Sequence, residues 1–252
     1  MKRLLVLMYG LACYAMFLGV FLYAVGFVGG FLTPTRLDAP FEHSDTAAQL
    51  SALLIDLLLL LIFAVQHSVM ARPGFKAWLA RWVPQPMERS TYVLATNCVL
   101  ILLFWQWRPL GEIVWNVQSS MGQIVLWLLY AKGWLTVLIT TCLINHFDLF
   151  GLRQVWLYFR GVPYNPLPFV TPGPYRVVRH PLYVGWLMAF WAVPTMTVTH
   201  LVFALAMTAY ILVAIRYEEH DLLTFHQAYA DYRRRVPMLI PRWSRIESQT
   251  AD

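Results

Sequence analysis

Charge is what this sequence has least of. Only 13% of its 252 residues are Asp, Glu, Lys or Arg while 59% are hydrophobic, against roughly 25% charged in a soluble domain. That deficit excludes an ordinary water-soluble globule, whose surface needs charge to stay in solution. Cysteine is scarce as well. Cys13, Cys98 and Cys142 all fall in hydrophobic stretches and form no CxxC pair, so neither a disulfide framework nor a zinc cluster is expected and no metal ligands are assigned. They read as small packed or lipid-facing residues. A continuous basic stripe is missing too. The formal charge of +6 is scattered between apolar stretches, which argues against nucleic acid as a partner. No internal repeat is evident.

What the chain does have is a series of long apolar runs. Residues 4 to 32 contain no charged side chain, enough for one helical crossing of about 20 residues. The run exceeds the roughly 7 to 15 apolar residues of a cleaved signal peptide, so Lys2 and Arg3 are expected to begin a retained anchor. Further runs cover residues 50–70, 90–107 and 121–145. A fifth, 181–215, is longer than one crossing and is interrupted by Pro194 with Thr195, Thr197 and Thr199, which predicts a tight helical hairpin. The expected fold class is all-α, a polytopic integral membrane protein with five to six transmembrane helices. On this arrangement sixteen Lys and Arg residues fall on one side, Arg36 and Arg108 on the other, and Lys132 inside the fourth span. Positive residues are retained on the cytoplasmic side, so both termini are expected there.

Polar residues gather towards the C-terminal end. The segment 163–180, PYNPLPFVTPGPYRVVRH, has five prolines, which rule out a long helix and favour an ordered extended loop. Beyond the hairpin, spacings of 4, 3, 4 and 3 put Glu218, Leu222, Phe225, Tyr229 and Tyr232 on one helical stripe. Glu219 is turned about 100° away, towards Leu223 and His226. The run VPMLIP at 236–241 stops the helix and returns an apolar strip to the membrane surface. Two adjacent carboxylates at a membrane boundary, facing Arg and His, are costly unless they bind something polar. A cationic or hydroxyl-rich ligand fits. In the alternative reading, Arg176, Arg179, Arg216, Arg233, Arg234 and Arg235 are topology signals beside anionic lipid, and the glutamates balance them.

From Gly173 the residues GPYRVVRHPLYVG, followed by EEHDLLTFHQAYADYRRRVPMLIP, resemble the C-terminal signature of the isoprenylcysteine carboxyl methyltransferase superfamily. Its pieces RHPxYxG, EExxL, YxxY and VPxxIP occur in order, and His226-Gln227 stands where that superfamily usually has Gly. The resemblance implies a cytoplasmic pocket for S-adenosylmethionine (SAM) built by this loop, the hairpin and the final helix. It implies cofactor contacts from Tyr175, Arg179, His180 and Tyr183. Glu218 and Glu219 would take the hydroxyl or ammonium groups, and Tyr229 and Tyr232 would wall the adenine or the sulfonium. The segments AVQHSVMARPGFKAWLARWVPQPMERSTYV and INHFDLFGLRQVW are similar to the NnrU-related branch of that superfamily, over nearly the whole chain. This second likeness implies a bacterial inner-membrane enzyme that moves the SAM methyl group to methanethiol, giving dimethyl sulfide. Residues 1–145 would form a four-helix transmembrane region and 146–252 the SAM-binding region.

Methyl transfer to sulfur is an in-line displacement that needs alignment of the reactants and a group to take the thiol proton. His67 closes the second span and His146 the fourth, with Asp148 two residues on. An imidazole titrates near neutrality, so His146 and His67 are the candidate bases, and Asp148 either orients His146 or binds an Arg. A boundary histidine also serves as a snorkelling residue, and the choice between the two stays open. Trp105, Trp107, Trp127, Trp134, Trp156 and Trp186 either narrow an acceptor cavity for a small apolar thiol or anchor the chain among membrane lipids. The rival readings are a methyltransferase for another thiol or a lipid acceptor, an NADPH-dependent membrane reductase, and a non-enzymatic heme or nitrogen-oxide accessory protein. The oligomeric state is not legible.

Overall fold

The computed structural model describes residues 1–39, 45–225 and 227–242. His226, expected on the face of Glu219, lies outside them. The chain runs through α1 (Lys2–Gly29), α2 (Thr46–Met70), α3 (Pro73–Leu79), α4 (Glu88–Gln106), β1 (Ile113–Asn116) and α5 (Ser120–Ile144). There follow α6 (His146–Leu149), α7 (Leu152–Arg160), α8 (Pro181–Trp191), β2 (Thr195–Thr197), α9 (Val198–Phe225) and α10 (Gln227–Arg235). Among the described residues α1, α2, α4, α5 and α9 are long and apolar enough to cross a membrane, so the protein is a multi-pass membrane protein. Local chemistry sets their ends. The Asp45 carboxylate accepts from the backbone N–H of Ala47 at the start of α2, and Ser119 accepts from that of Gly122 at the start of α5. Gly30, at φ 73°, closes α1 in the left-handed conformation that glycine adopts without strain.

Alternation of the long helices gives the bundle two unlike ends. The basic end collects the start of α1, α4 and α8, the end of α2, α5 and α9, and the short helices α3, α6, α7 and α10. At the opposite end β1 and β2 form an antiparallel pair, with Trp115 beside Met196 and Asn116 beside Thr195.

The expected hairpin takes a less regular form than two helices. α8 has 11 residues, about 16 Å of helix, roughly half of a 30 Å hydrocarbon layer. Past it the chain is extended through Pro194, which has no N–H to continue a helix, and then pairs with β1. The Phe190 carbonyl near the end of α8 accepts from His200 Nε2 at 2.8 Å, and His200 Nδ1 lies 2.7 Å from Asp38 Oδ2. A carbonyl only accepts, so His200 donates through Nε2 to α8 and, through its contact with Asp38, pins the extended arm to the α1–α2 connection. Thr197 donates to the other oxygen of Asp38.

α8 sits in the middle of the bundle because glycine lets it. A Cβ on Gly185 would come within 2.8 Å of the Gly133 carbonyl oxygen, and one on Gly133 within 2.7 Å of the Ala189 nitrogen. Small residues allow this close backbone approach between membrane helices. On the other side α4 packs between α1 and α2, while α9 closes against α2 and α8. Phe27, Leu103, Phe104, Trp107, Trp134, Phe190 and Phe203 fill the interior. Leu22, Leu54, Leu128 and Leu205 are exposed, as befits helices whose outer faces meet lipid.

Candidate functional site

The RHP sequence is held at the basic end by main-chain bonds to the VPMLIP strip. Arg179 N–H donates to the Pro237 carbonyl at 2.8 Å and His180 N–H to that of Met238 at 3.2 Å. Met238 and Leu239 pack against the bundle core, so this part of the strip meets protein where the sequence leads one to expect the membrane surface. Pro181 begins α8 at a position where a missing N–H costs nothing. This places His180 and Tyr183 opposite the end of α9.

The two neighbouring glutamates of α9 have different surroundings. Glu219 is buried, and its Oε1 accepts from Arg179 Nε at 2.7 Å and faces His180 Nε2 at 3.1 Å. Its Oε2 lies 3.0 Å from Arg233 Nε. Arg179 Nη1 in addition donates to the Val236 carbonyl at 2.6 Å and to that of Arg233 at 3.1 Å. Glu219 therefore ties the RHP loop, α9, α10 and the terminal strip together, and its charge is fully answered by protein. Glu218 keeps a side chain 45% exposed. Its Oε2 accepts from the Tyr183 hydroxyl at 3.0 Å and lies 3.9 Å from His180 Nδ1; its Oε1 has no protein partner among the described residues.

Three further tyrosines surround this pair. The Tyr232 hydroxyl donates to the Tyr175 carbonyl at 2.5 Å, and burial pushes its phenol up to about 12. Tyr229 is buried beside Glu219, its hydroxyl unpartnered, and burial followed by that carboxylate raises its phenol. The two rings stand 5.7 Å apart and both pack edge-on against Phe169. The stripe that sequence phase places with Glu218 is thus a wall buried behind Glu219. Burial and then the Glu218 carboxylate raise the phenol of Tyr175.

The histidines at the span ends occupy opposite sides of α4. His146 is buried among Phe17, Phe147 and Phe150, with Tyr14 Oη 2.8 Å from Nε2 and Thr141 Oγ1 2.9 Å from Nδ1. Burial lowers its imidazole below the ordinary 6.5. Asp148 does not touch it. That carboxylate accepts from Arg153 at 2.9 Å and from the Tyr164 hydroxyl at 3.3 Å, so of the two roles open to it the structure displays the Arg partner. His67 lies on α2, its ring 5.1 Å from Tyr92 of α4 and stacked on Phe63. Its Nδ1 is 3.3 Å from Thr96 Oγ1. Of the tryptophans, Trp134 and Trp186 meet edge to face at 5.2 Å inside the bundle and Trp107 is buried, whereas Trp105, Trp127 and Trp156 face outwards.

Sequence reasoning missed several polar residues within spans. Asp56 of α2 is fully buried, one oxygen accepting from Arg108 N–H at 2.9 Å and the other unpartnered. A lone acid in an apolar run is itself a signal. Thr96, Tyr92, Ser68 and Tyr210 form a polar group around His67, with Ser68 donating to Tyr210 at 3.3 Å. The i, i+4 spacing of Tyr92 and Thr96 was the available cue.

Comparison with known proteins gives the family. The family model for phospholipid methyltransferase matches residues 129–230, the stretch from mid-α5 into α10. A methanethiol S-methyltransferase of Crocosphaera subtropica is 56% identical over 96% of this chain and 93% of its own length. One from Mycobacterium tuberculosis is 51% identical, covering 96% and 98%. Nurim of Mus musculus is similar at a greater distance, 32% identical over 69% of each chain. No solved structure matches. Such identity, spread over nearly the full length of both chains, means that this chain belongs to the methanethiol S-methyltransferase family of membrane methyltransferases.

Proposed function

We propose that the chain methylates the sulfur of methanethiol, with SAM as donor and dimethyl sulfide as product, at the basic end of the bundle and on the cytoplasmic face of a bacterial inner membrane. The observation that carries the choice of donor is the unequal state of the two glutamates. Glu219 is paired with two guanidiniums and faces a histidine, while Glu218 offers an open carboxylate oxygen beside the Tyr183 and His180 rings. A carboxylate framed by aromatic faces suits the ammonium, ribose hydroxyls or sulfonium of SAM. Glu218, Tyr183, Tyr175 and His180 would hold it, and the donor supplies an electrophilic methyl group. Arg179, Glu219, Tyr229 and Tyr232 hold the surrounding walls in register. Arg179 and Arg233 are committed to Glu219, and the similarity to methanethiol S-methyltransferases supports a methyltransferase over a reductase.

The acceptor is small and apolar, so it reaches the site through lipid or between helices while the donor enters from water. The test is headspace detection of dimethyl sulfide from purified protein given SAM and methanethiol. Product well above a protein-free control is expected; its absence ends the thiol reading.

A further inference from the structure

We infer that His67, held in one tautomer by Thr96, is the proton acceptor for the thiol, and that the polar group around it, between α2, α4 and α9, is the acceptor site. The inference rests on the thiol methyltransferase reading and adds to it the base, its positioning residue and the side from which sulfur approaches.

Hydrogen-bond directions distinguish the two histidines. A carbonyl can only accept. Thr96 Oγ1 lies 3.0 Å from the Tyr92 carbonyl, so the single hydroxyl proton of Thr96 is spent there. Towards His67 the same oxygen must accept, which places a proton on His67 Nδ1 across 3.3 Å. Gln66 Nε2 also donates to that oxygen at 3.3 Å, reinforcing its acceptor role. His67 Nε2 is then unprotonated, and no described residue occupies its lone pair. His146 obeys the same logic with a different outcome. Thr141 gives its proton to the Leu138 carbonyl at 2.8 Å, so Nδ1 is again the protonated nitrogen, but Nε2 is already occupied by the Tyr14 hydroxyl at 2.8 Å. One histidine has an open lone pair; the other is closed by a phenol within an aromatic cage.

The surroundings of His67 connect it to the donor site. Its ring lies against Tyr92, whose hydroxyl donates to the His67 carbonyl at 3.2 Å, and the neighbouring Ser68 donates to Tyr210 on α9, the helix that carries Glu218. Tyr210 sits edge-on to Phe63, which stacks on His67. His67 is thus bordered by Phe63 and the Tyr92 phenol, with Tyr210 beyond Phe63. The charged groups around it are Arg89, whose guanidinium lies 5.3 Å over Tyr92, and the Arg72–Asp221 pair at 2.9 Å, with Arg72 Nε donating to the Ser68 carbonyl.

The step balances without a redox partner. A lone pair of the thiol sulfur forms the new carbon–sulfur bond to the donated methyl. The methyl–sulfonium bond breaks with its electron pair remaining on the donor sulfur. The thiol proton passes to His67 Nε2, making an imidazolium that returns it to water after the thioether leaves.

The test compares wild type, His67→Gln, Thr96→Val and Thr96→Ser. At neutral pH His67→Gln should lose about 100-fold in kcat, the lower range for a general base, with SAM affinity within twofold. Its rate should recover as pH rises towards the thiol's own pKa. Thr96→Val should lower kcat and move the His67 signals in a histidine ¹⁵N spectrum away from the Nδ1–H tautomer, and Thr96→Ser should restore both. Wild-type kcat in His67→Gln, or a loss without alkaline recovery, overturns the assignment while leaving the thiol activity standing. If His67→Gln no longer binds SAM, Thr96→Val decides, since it keeps the imidazole: an unchanged rate and ¹⁵N spectrum overturn the assignment. Wild type that yields no dimethyl sulfide sinks the activity, and the base falls with it.

Discussion

Glu218 and Glu219 are chemically identical neighbours that the fold gives different work. Phase along α9 foretells that they point apart, and it foretells no more. The partners that settle their roles, Arg179 and Arg233, lie 40 and 14 positions away in sequence and converge only through the strip that binds Arg179 and His180. The motif therefore located the pair, while the division of labour between its members came from tertiary contacts. It also follows that the two residues should fail differently. Glu218→Gln keeps the shape but removes the charge that a cationic donor would meet, so SAM affinity should fall by at least about tenfold, a charged hydrogen bond contributing about 1.5–3 kcal/mol, with the melting temperature little changed. Glu219→Gln strips the anion from two guanidiniums and a histidine at a buried position. Breaking such a pair from one side costs about 3 kcal/mol or more, so the melting temperature should drop. Calorimetric titration with SAM alongside thermal unfolding in detergent separates the outcomes; equal effects on binding and stability for both variants would dissolve the distinction.

At the level of elements, the long spans were legible because about 20 apolar residues leave a chain little choice but helix in lipid. The limits of α1, α2, α4 and α5 fall within a few residues of those the hydropathy pattern sets, whereas α9 continues to Phe225, ten residues past the apolar run that ends at 215. The interruption at Pro194 was equally legible. The extended conformation of the second half of that arm was not, because its partner strand, Ile113–Asn116, lies in the α4–α5 connection and no local pattern announces the pairing. The glycine of RHPxYxG was recognised as a motif letter, and its physical reason emerges only in the packing of α8 on α5. Both groups it would strike are backbone, the Gly133 carbonyl and the Val137 nitrogen at 2.8 and 2.9 Å, so neither can rotate away. Gly185→Leu should therefore push α8 off α5, lower the yield of monodisperse protein and reduce SAM binding together with turnover, since His180 and Tyr183 ride on the same helix. Gly19 is the control. A Cβ there meets nothing within 4 Å, and Gly19→Ala in a helix interior should be neutral or stabilising by up to about 1 kcal/mol. Size-exclusion profiles and melting curves read both variants, and a well-behaved Gly185→Leu would refute the close-packing account.

For the whole molecule, the two ends of the bundle meet different demands. The far end is closed by a short sheet and by the His200–Asp38 pair, a lock with little polar surface open to a ligand. The basic end carries the open carboxylate, the interfacial helices and most of the Arg and Lys residues. Positive charge favours retention on the cytoplasmic side during insertion, and SAM is a charged solute that does not cross a bilayer unaided. On the proposed reading both considerations predict that the basic end faces the cytoplasm, since a reversed protein would separate the site from its donor. Arg81, on the basic side, and Arg36, on the far side, are both exposed, so Arg81→Cys and Arg36→Cys report orientation. The native thiols serve as background, Cys13 being buried and Cys98 and Cys142 lying on the outer faces of membrane helices. In intact cells a membrane-impermeant maleimide should label Arg36→Cys and should reach Arg81→Cys only after permeabilisation. The reverse labelling pattern would place Glu218 on the side without SAM and would defeat the proposed route, in which the donor arrives from cytoplasmic water and the thiol from the membrane.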